Sequence, residues 1–199
     1  PGAHSAILGH EQIDDIVLVD QSPIGKTARS NPVSYVGALD PIRSLFAKEP
    51  LSKQRGYSAG TFSFNSPKGR CPSCGGSGFE HIEMQFLSDV YIRCPDCNGT
   101  RYRPEVLEVK LLPEQDTQRR SAQSGRTGEK RSPAERAVNA KSIAEVLELT
   151  VDEACEFFKT ETAVLHKLEP LRAVGLGYLR LDQPLPTLHG GESQRLKLA

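Results

Sequence analysis

Long apolar runs are missing from this 199-residue chain. None approaches the roughly 20 residues that a membrane-spanning helix needs, so a helical span is excluded. Pro1 to His10 lack the basic-then-apolar pattern of a secretory signal, and the expectation is a cytoplasmic protein with reduced thiols. Net charge is missing as well, because 25 Lys and Arg offset 25 Asp and Glu. That balance excludes a wholly basic nucleic-acid binder, and any contact with DNA must come from local asymmetry. Such asymmetry exists between residues 53 and 103, where Lys53, Arg55, Lys68, Arg70, Arg93, Arg101 and Arg103 face only Glu80, Glu83, Asp89 and Asp96. Residues 142–199 lean acidic instead. Five cysteines are too few and too unevenly placed for a disulfide scaffold. No long-period repeat is present.

Ile13 to Asp20 reads as a strand, and the unbroken apolar run Ile16, Val17, Leu18, Val19 predicts burial on both faces, as in a parallel core sheet. Asp40-Pro41 starts a helix with Ile42, Leu45 and Phe46 on one side. From Leu51 to Tyr102 glycines, cysteines and short aromatic stretches dominate, so this segment is expected to depend on a cross-link more than on a large core. Val106 to Leu111 has a strand-like pattern. Pro113 to Ala140 is polar and reads as a mobile, solvated insertion. Ser142 with Glu145, and Thr150 with Glu153, each fit a capping box that opens a helix. A third helix spans about Ala163 to Val174 and stops at Gly175. Cys155 shares a helix face with Val151, Ala154 and Phe158 and reads as a buried core thiol.

The other four cysteines carry chemistry. Cys71-Pro-Ser-Cys74 and Cys94-Pro-Asp-Cys97, nineteen residues apart, supply the four thiolates of a closed tetrahedral zinc site. Gly75, Gly76, Gly78 and Gly99 permit tight turns that aim backbone N–H groups at sulfur. With no open coordination position, such an ion is structural. A redox dithiol is the competing reading. Cys71 to Gly78 also fits the Cys-x-x-Cys-x-Gly-x-Gly repeat of the DnaJ-type chaperone zinc domain, with Cys94 to Arg101 a partial copy. A four-thiolate zinc site is itself negative, so phosphate contacts fall to its flanks: Lys68, Arg70, Arg93, Arg101 and Arg103 are the candidate DNA-binding residues. Phe62, Phe64, Phe79, Phe86, Tyr91 and Tyr102 either stack on bases or pack against the module.

The chain ends in His189-Gly190-Gly191-Glu192-Ser193-Gln194-Arg195-Leu196-Lys197-Leu198. Two glycines entering a helix are either a plain turn or a place where backbone N–H groups and the helix dipole meet an anion. This wording resembles the signature motif of ABC-type ATPases. Together with Val19-Asp20-Gln21-Ser22-Pro23-Ile24-Gly25-Lys26-Thr27, the two Cys pairs and Val174-Gly175-Leu176-Gly177-Tyr178, it is similar in order and wording to the C-terminal half of the UvrA family. The resemblance spans nearly the whole chain except about residues 113 to 139.

The resemblance implies an α+β fold: a helical signature domain plus part of the phosphate-loop core sheet, with an inserted four-cysteine zinc module. It divides the chain into residues 1–50 (ATP-binding core with Q-loop), 51–112 (zinc module), 113–140 (insertion) and 141–199 (signature domain). Gln21 would sense magnesium and the γ-phosphate of ATP, and His189, Gly190, Gly191 and Glu192 would meet ATP held by another domain. The parent would be a homodimer that binds damaged double-stranded DNA in nucleotide excision repair and loads UvrB. His189 replaces the usual serine with a larger group, which keeps open a UvrA-like ATPase of drug resistance or another non-repair role. Pro23 to Thr27 lacks the earlier glycine of a phosphate loop, and no acidic strand follows the signature. The chain is therefore expected to be a fragment without catalytic residues, inactive toward ATP by itself.

Overall fold

The computed structural model describes every residue except 1, 4, 7, 17, 21, 23, 26, 28, 83, 85–89 and 114–138. Gln21, Phe86 and nearly all of the insertion thus lie outside the described residues. Among those described, no helix is long and apolar enough to cross a membrane.

Helices α1 (Pro32–Tyr35), α2 (Leu39–Lys48) and α3 (Pro50–Gln54) come first. In α2 the spacing of Leu39, Ile42 and Phe46 puts three buried side chains on one stripe. Phe46 packs on Phe62 with ring centres 5.3 Å apart. Strands β1 (Phe79–Ile82) and β2 (Val90–Arg93) form an antiparallel hairpin in the register Phe79↔Arg93 to Ile82↔Val90. After α4 (Pro104–Leu107) come α5 (Ile143–Leu147), α6 (Val151–Phe157), α7 (Thr162–Ala173) and α8 (Gly190–Leu198).

Local chemistry explains the helix ends. Ser142 and Thr150 accept from the amides of Glu145 and Glu153, whose carboxylates accept the Ser142 and Thr150 amides in return at 2.6 and 2.9 Å. Helix α7 closes with Gly175 at φ +73°, the amides of Gly175 and Leu176 bonding the carbonyls of Arg172 and Leu171 at 2.9 Å. This left-handed closure satisfies two carbonyls that a helix end otherwise leaves unpaired. The chain then runs back alongside α5 and α6. Val151 donates to Leu179, Leu181 to Leu149 and Asp182 to Leu147 at 2.9–3.0 Å, and Leu185 donates to Ser30 at 2.8 Å.

Two expectations fail. The described residues of Ile13 to Asp20 form no strand, and Ile16 and Leu18 are 81% and 89% exposed. A buried parallel strand needs partners on both edges, and among the described residues the one sheet is the distant β1–β2 pair. Val106 to Leu111 is not a strand either. Pro104 sets the φ of a first helical turn, and only Leu111 bridges, to Lys141. The main core also crosses the boundaries drawn at residues 50 and 112: Ile42, Phe46, Phe62, Phe64, Tyr102, Val109, Ile143, Leu168 and Leu196 belong to one buried cluster. A second cluster consists of Cys71, Cys94 and Cys97, with Cys74 against it.

Candidate metal centre and signature helix

The β1–β2 hairpin explains how cysteines nineteen residues apart converge. Cys74 precedes β1 and Cys94 follows β2, and the Cys94 amide extends the ladder by donating to the Gly78 carbonyl at 3.0 Å. The sulfurs of Cys71, Cys74, Cys94 and Cys97 all lie within 4.8 Å of one another. Cys71 and Cys94 approach to 3.9 Å, Cys74 and Cys97 to 3.7 Å. A tetrahedron with metal–sulfur bonds of about 2.3 Å has edges of about 3.8 Å, so the four sulfurs fit a tetrahedral ion. These short distances run between the knuckles, as a shared ion requires. A redox dithiol would pair sulfurs inside one motif.

Backbone donors complete the cage. The Gly78 amide donates to Cys74 Sγ at 3.3 Å, and Ser73 bonds Asp96 across the knuckles. Burial opposes ionisation of Cys74, but the Gly78 and Gly76 amides and the facing thiols outweigh it and bring that thiol down to about 7. At Cys97 burial prevails over the Arg101 and Gly99 amides, and the thiol is pushed up to about 12. Crowded sulfurs resist ionising together, a conflict that a shared cation relieves. Gly76, at φ +88°, lets the first knuckle lie on the main core: a Cβ there would stand 2.0 Å from the Phe64 carbonyl oxygen.

The predicted DNA-binding residues divide. Lys68, Arg93 and Arg103 are exposed, and Arg70 is half-buried. Arg101 is 3% exposed and faces inward, which removes it from the residues able to touch a phosphate. Phe62, Phe64 and Tyr102 are core residues, the Tyr102 hydroxyl donating to the Phe62 carbonyl at 2.9 Å. Tyr91 is exposed.

At the other end, α8 starts at Gly190 with His189 as its N-cap. The Glu192 carboxylate folds back to accept the His189 amide at 2.9 Å and the Tyr178 hydroxyl at 2.5 Å. The Tyr178 hydrogen bond foremost, then the His189 amide, hold Glu192 below the usual carboxylate range. Glu192 therefore serves the helix cap, and the outward groups are His189, Gly190 and Gly191, all exposed. A Cβ on either glycine would meet nothing within 4 Å. Arg195 anchors the helix by donating to the carbonyls of Gly175 at 3.1 Å and Val174 at 3.4 Å. Lys197 donates to the carbonyls of Asp20 and Ser22 at 2.9 and 2.8 Å, and pairs with the Asp20 carboxylate. Sequence reasoning missed these anchors, since each joins residues far apart in the chain. Asp20 and Ser22, which flank Gln21 in sequence, are thus held to the signature helix, although Gln21 itself lies outside the described residues.

The chain, a helical body that ends in a glycine-led helix and carries a four-thiol hairpin module, is similar along its whole length to UvrABC system protein A. It is 47% identical over 199 residues to that protein of Thermus thermophilus and of Clostridium tetani, covering 100% of this chain and 18% of each relative. It matches the crystal structure of UvrA2 from Deinococcus radiodurans with a TM-score of 0.76 and 47% identity, over 95% of this chain and 19% of that one. No protein-family profile matches the chain. The chain spans under one fifth of the length of these relatives.

Proposed function

We propose that this chain is the zinc-bearing signature portion of a UvrA-like ABC ATPase that detects distorted duplex DNA in nucleotide excision repair and loads UvrB. The observation that carries the reading is the 47% identity over 199 residues, joined to four thiols converging within 4.8 Å. The ion is zinc: four thiolates in tetrahedral array suit it, and it contributes structure without opening a coordination position. The exposed first turn of α8 is where ATP bound to a partner domain, with its Mg2+, meets this chain. The amides of Gly190 and Gly191 have no acceptor within the helix, and the helix dipole favours the phosphate. Gln21 belongs to the same nucleotide site. The parent works as a homodimer in the cytoplasm.

Lys68, Arg70, Arg93 and Arg103 position the duplex through its phosphates. Contacts without base readout suit a protein that must recognise unrelated lesions by deformability. The test is fluorescence anisotropy of the zinc-loaded chain on intact and lesion-bearing duplexes across a salt series. The expected outcome is lesion-preferring affinity that falls with salt, each charge-removing substitution at Lys68 or Arg103 lowering the log–log slope by about 1. No binding at low salt would overturn DNA recognition by this portion. The 92% exposed side chain of His189, in place of a compact hydroxyl, favours a second reading, a UvrA-like ATPase outside repair; equal affinity for intact and damaged DNA would support it.

A further inference from the structure

We propose that Arg101 is a positioning residue, the strut through which the metal centre fixes the segment leading into the signature helix. This rests on reading the four thiols as a zinc site. Arg101 belongs to the module by its backbone: it sits at φ +72°, and its carbonyl accepts the Cys71 amide at 2.8 Å. Its side chain belongs to the other body. The guanidinium lies 5.3 Å from the centre of the Phe64 ring, and Nη2 donates to the Asp182 carbonyl at 3.1 Å, across 81 positions of sequence. The stem passes where Gly78 leaves room, since a Cβ on that glycine would stand 3.0 Å from Arg101 Cγ.

Burying this cation is costly. Nε and Nη1 are buried without a hydrogen-bond partner, and a buried charge needs compensation close by. The metal centre offers it, because four thiolates around a divalent ion leave two negative charges. A loaded centre therefore holds Arg101 in place, and Arg101 holds Asp182. Asp182 and Leu181 in turn bond Leu147 and Leu149, and Leu185 bonds Ser30, immediately before α8 begins. A lysine cannot reproduce this, for it lacks the planar fork that both stacks on a ring and reaches a carbonyl.

The experiment compares amide hydrogen exchange at Leu181, Asp182 and Leu185 in zinc-loaded and chelator-stripped protein, for wild type, Arg101→Met, Arg101→Lys and Arg103→Met. Co(II) substitution and its thiolate charge-transfer band monitor the metal site separately. In wild type, metal slows exchange at these amides at least about fivefold. Arg101→Met and Arg101→Lys keep the Co(II) band but reduce the metal effect to within about twofold, while exposed Arg103→Met retains it in full. A wild-type metal effect surviving in either Arg101 variant overturns the strut, as does a wild type that binds Co(II) without slowing these amides. Should Arg101→Met fail to fold, Arg101→Lys decides. Failure of wild type to take up Co(II) overturns the zinc reading itself and this inference with it.

Discussion

Single side chains in this molecule do more than one task, and Glu145 shows how the tasks combine. Its carboxylate accepts the Ser142 amide at 2.6 Å and the Lys110 ammonium at 2.5 Å. Burial alone would raise its affinity for a proton, but Lys110 and then Ser142 outweigh this and bring Glu145 down to about 2 from an ordinary 4.5. A carboxyl depressed on folding adds stability above its unfolded value, and that stability fades as pH falls from about 4.5 to about 2. Glu145→Gln keeps the shape and removes the charge. Since the side chain is half exposed, solvent screening limits the loss to about 1 kcal/mol at neutral pH. Thermal melts at pH 7 should separate wild type from variant, and melts near pH 2.5 should bring them together; a gap that stays constant with pH would refute the assignment.

At the scale of elements, the signature helix is instructive, because its own residues hold it weakly. Leu196 is its only buried residue among those described; otherwise α8 is fastened by Arg195 to the carbonyls that end α7, by Lys197 to residues 20 and 22, and by Tyr178 to Glu192. Tyr178→Phe removes one fastener without changing volume. The expected loss is about 1 kcal/mol, a roughly fivefold faster opening of the first α8 turn. Hydrogen exchange at Ser193 and Gln194 reads it, and unchanged protection would show that Tyr178 is incidental.

The same contrast explains what could be read from the chain. Caps are local, so Ser142 with Glu145 and Thr150 with Glu153 announced α5 and α6, and Gly175 announced the end of α7. The cysteine spacing announced the convergence of the four thiols for a similar reason, since one hairpin closes the cluster. The ladder from 177 to 182 and the inward turn of Arg101 were illegible, because both depend on partners that sequence does not place alongside. Ile13 to Asp20 carries the wording of a core strand, yet wording forms a strand only where neighbouring strands pair with it.

For the whole molecule, the two buried clusters predict two separable transitions. The main cluster runs from Ile24 to Leu196 and includes twelve large side chains under 2% exposed, Tyr102, Phe46 and Leu179 among them, none belonging to residues 71–99. It should hold without metal. The buried hydrophobic residues within 71–99 are, among those described, Cys71, Cys94 and Cys97, so this stretch has no apolar core to fall back on. Structural zinc provides about 10–16 kcal/mol in small finger peptides, enough to carry such a segment. Chelation should therefore abolish amide protection throughout 71–99 and loosen 181–185 through Arg101. Protection in α5, α6 and α7 should persist, because Ile143, Val151, Leu168 and Leu171 are fully buried. Hydrogen exchange followed by mass spectrometry, before and after chelation, distinguishes this sequence of events from its rival. Simultaneous loss of protection in the module and in α7 would mean that the metal supports the whole fold. The module would then not be a metal-dependent unit separable from a self-sufficient helical body.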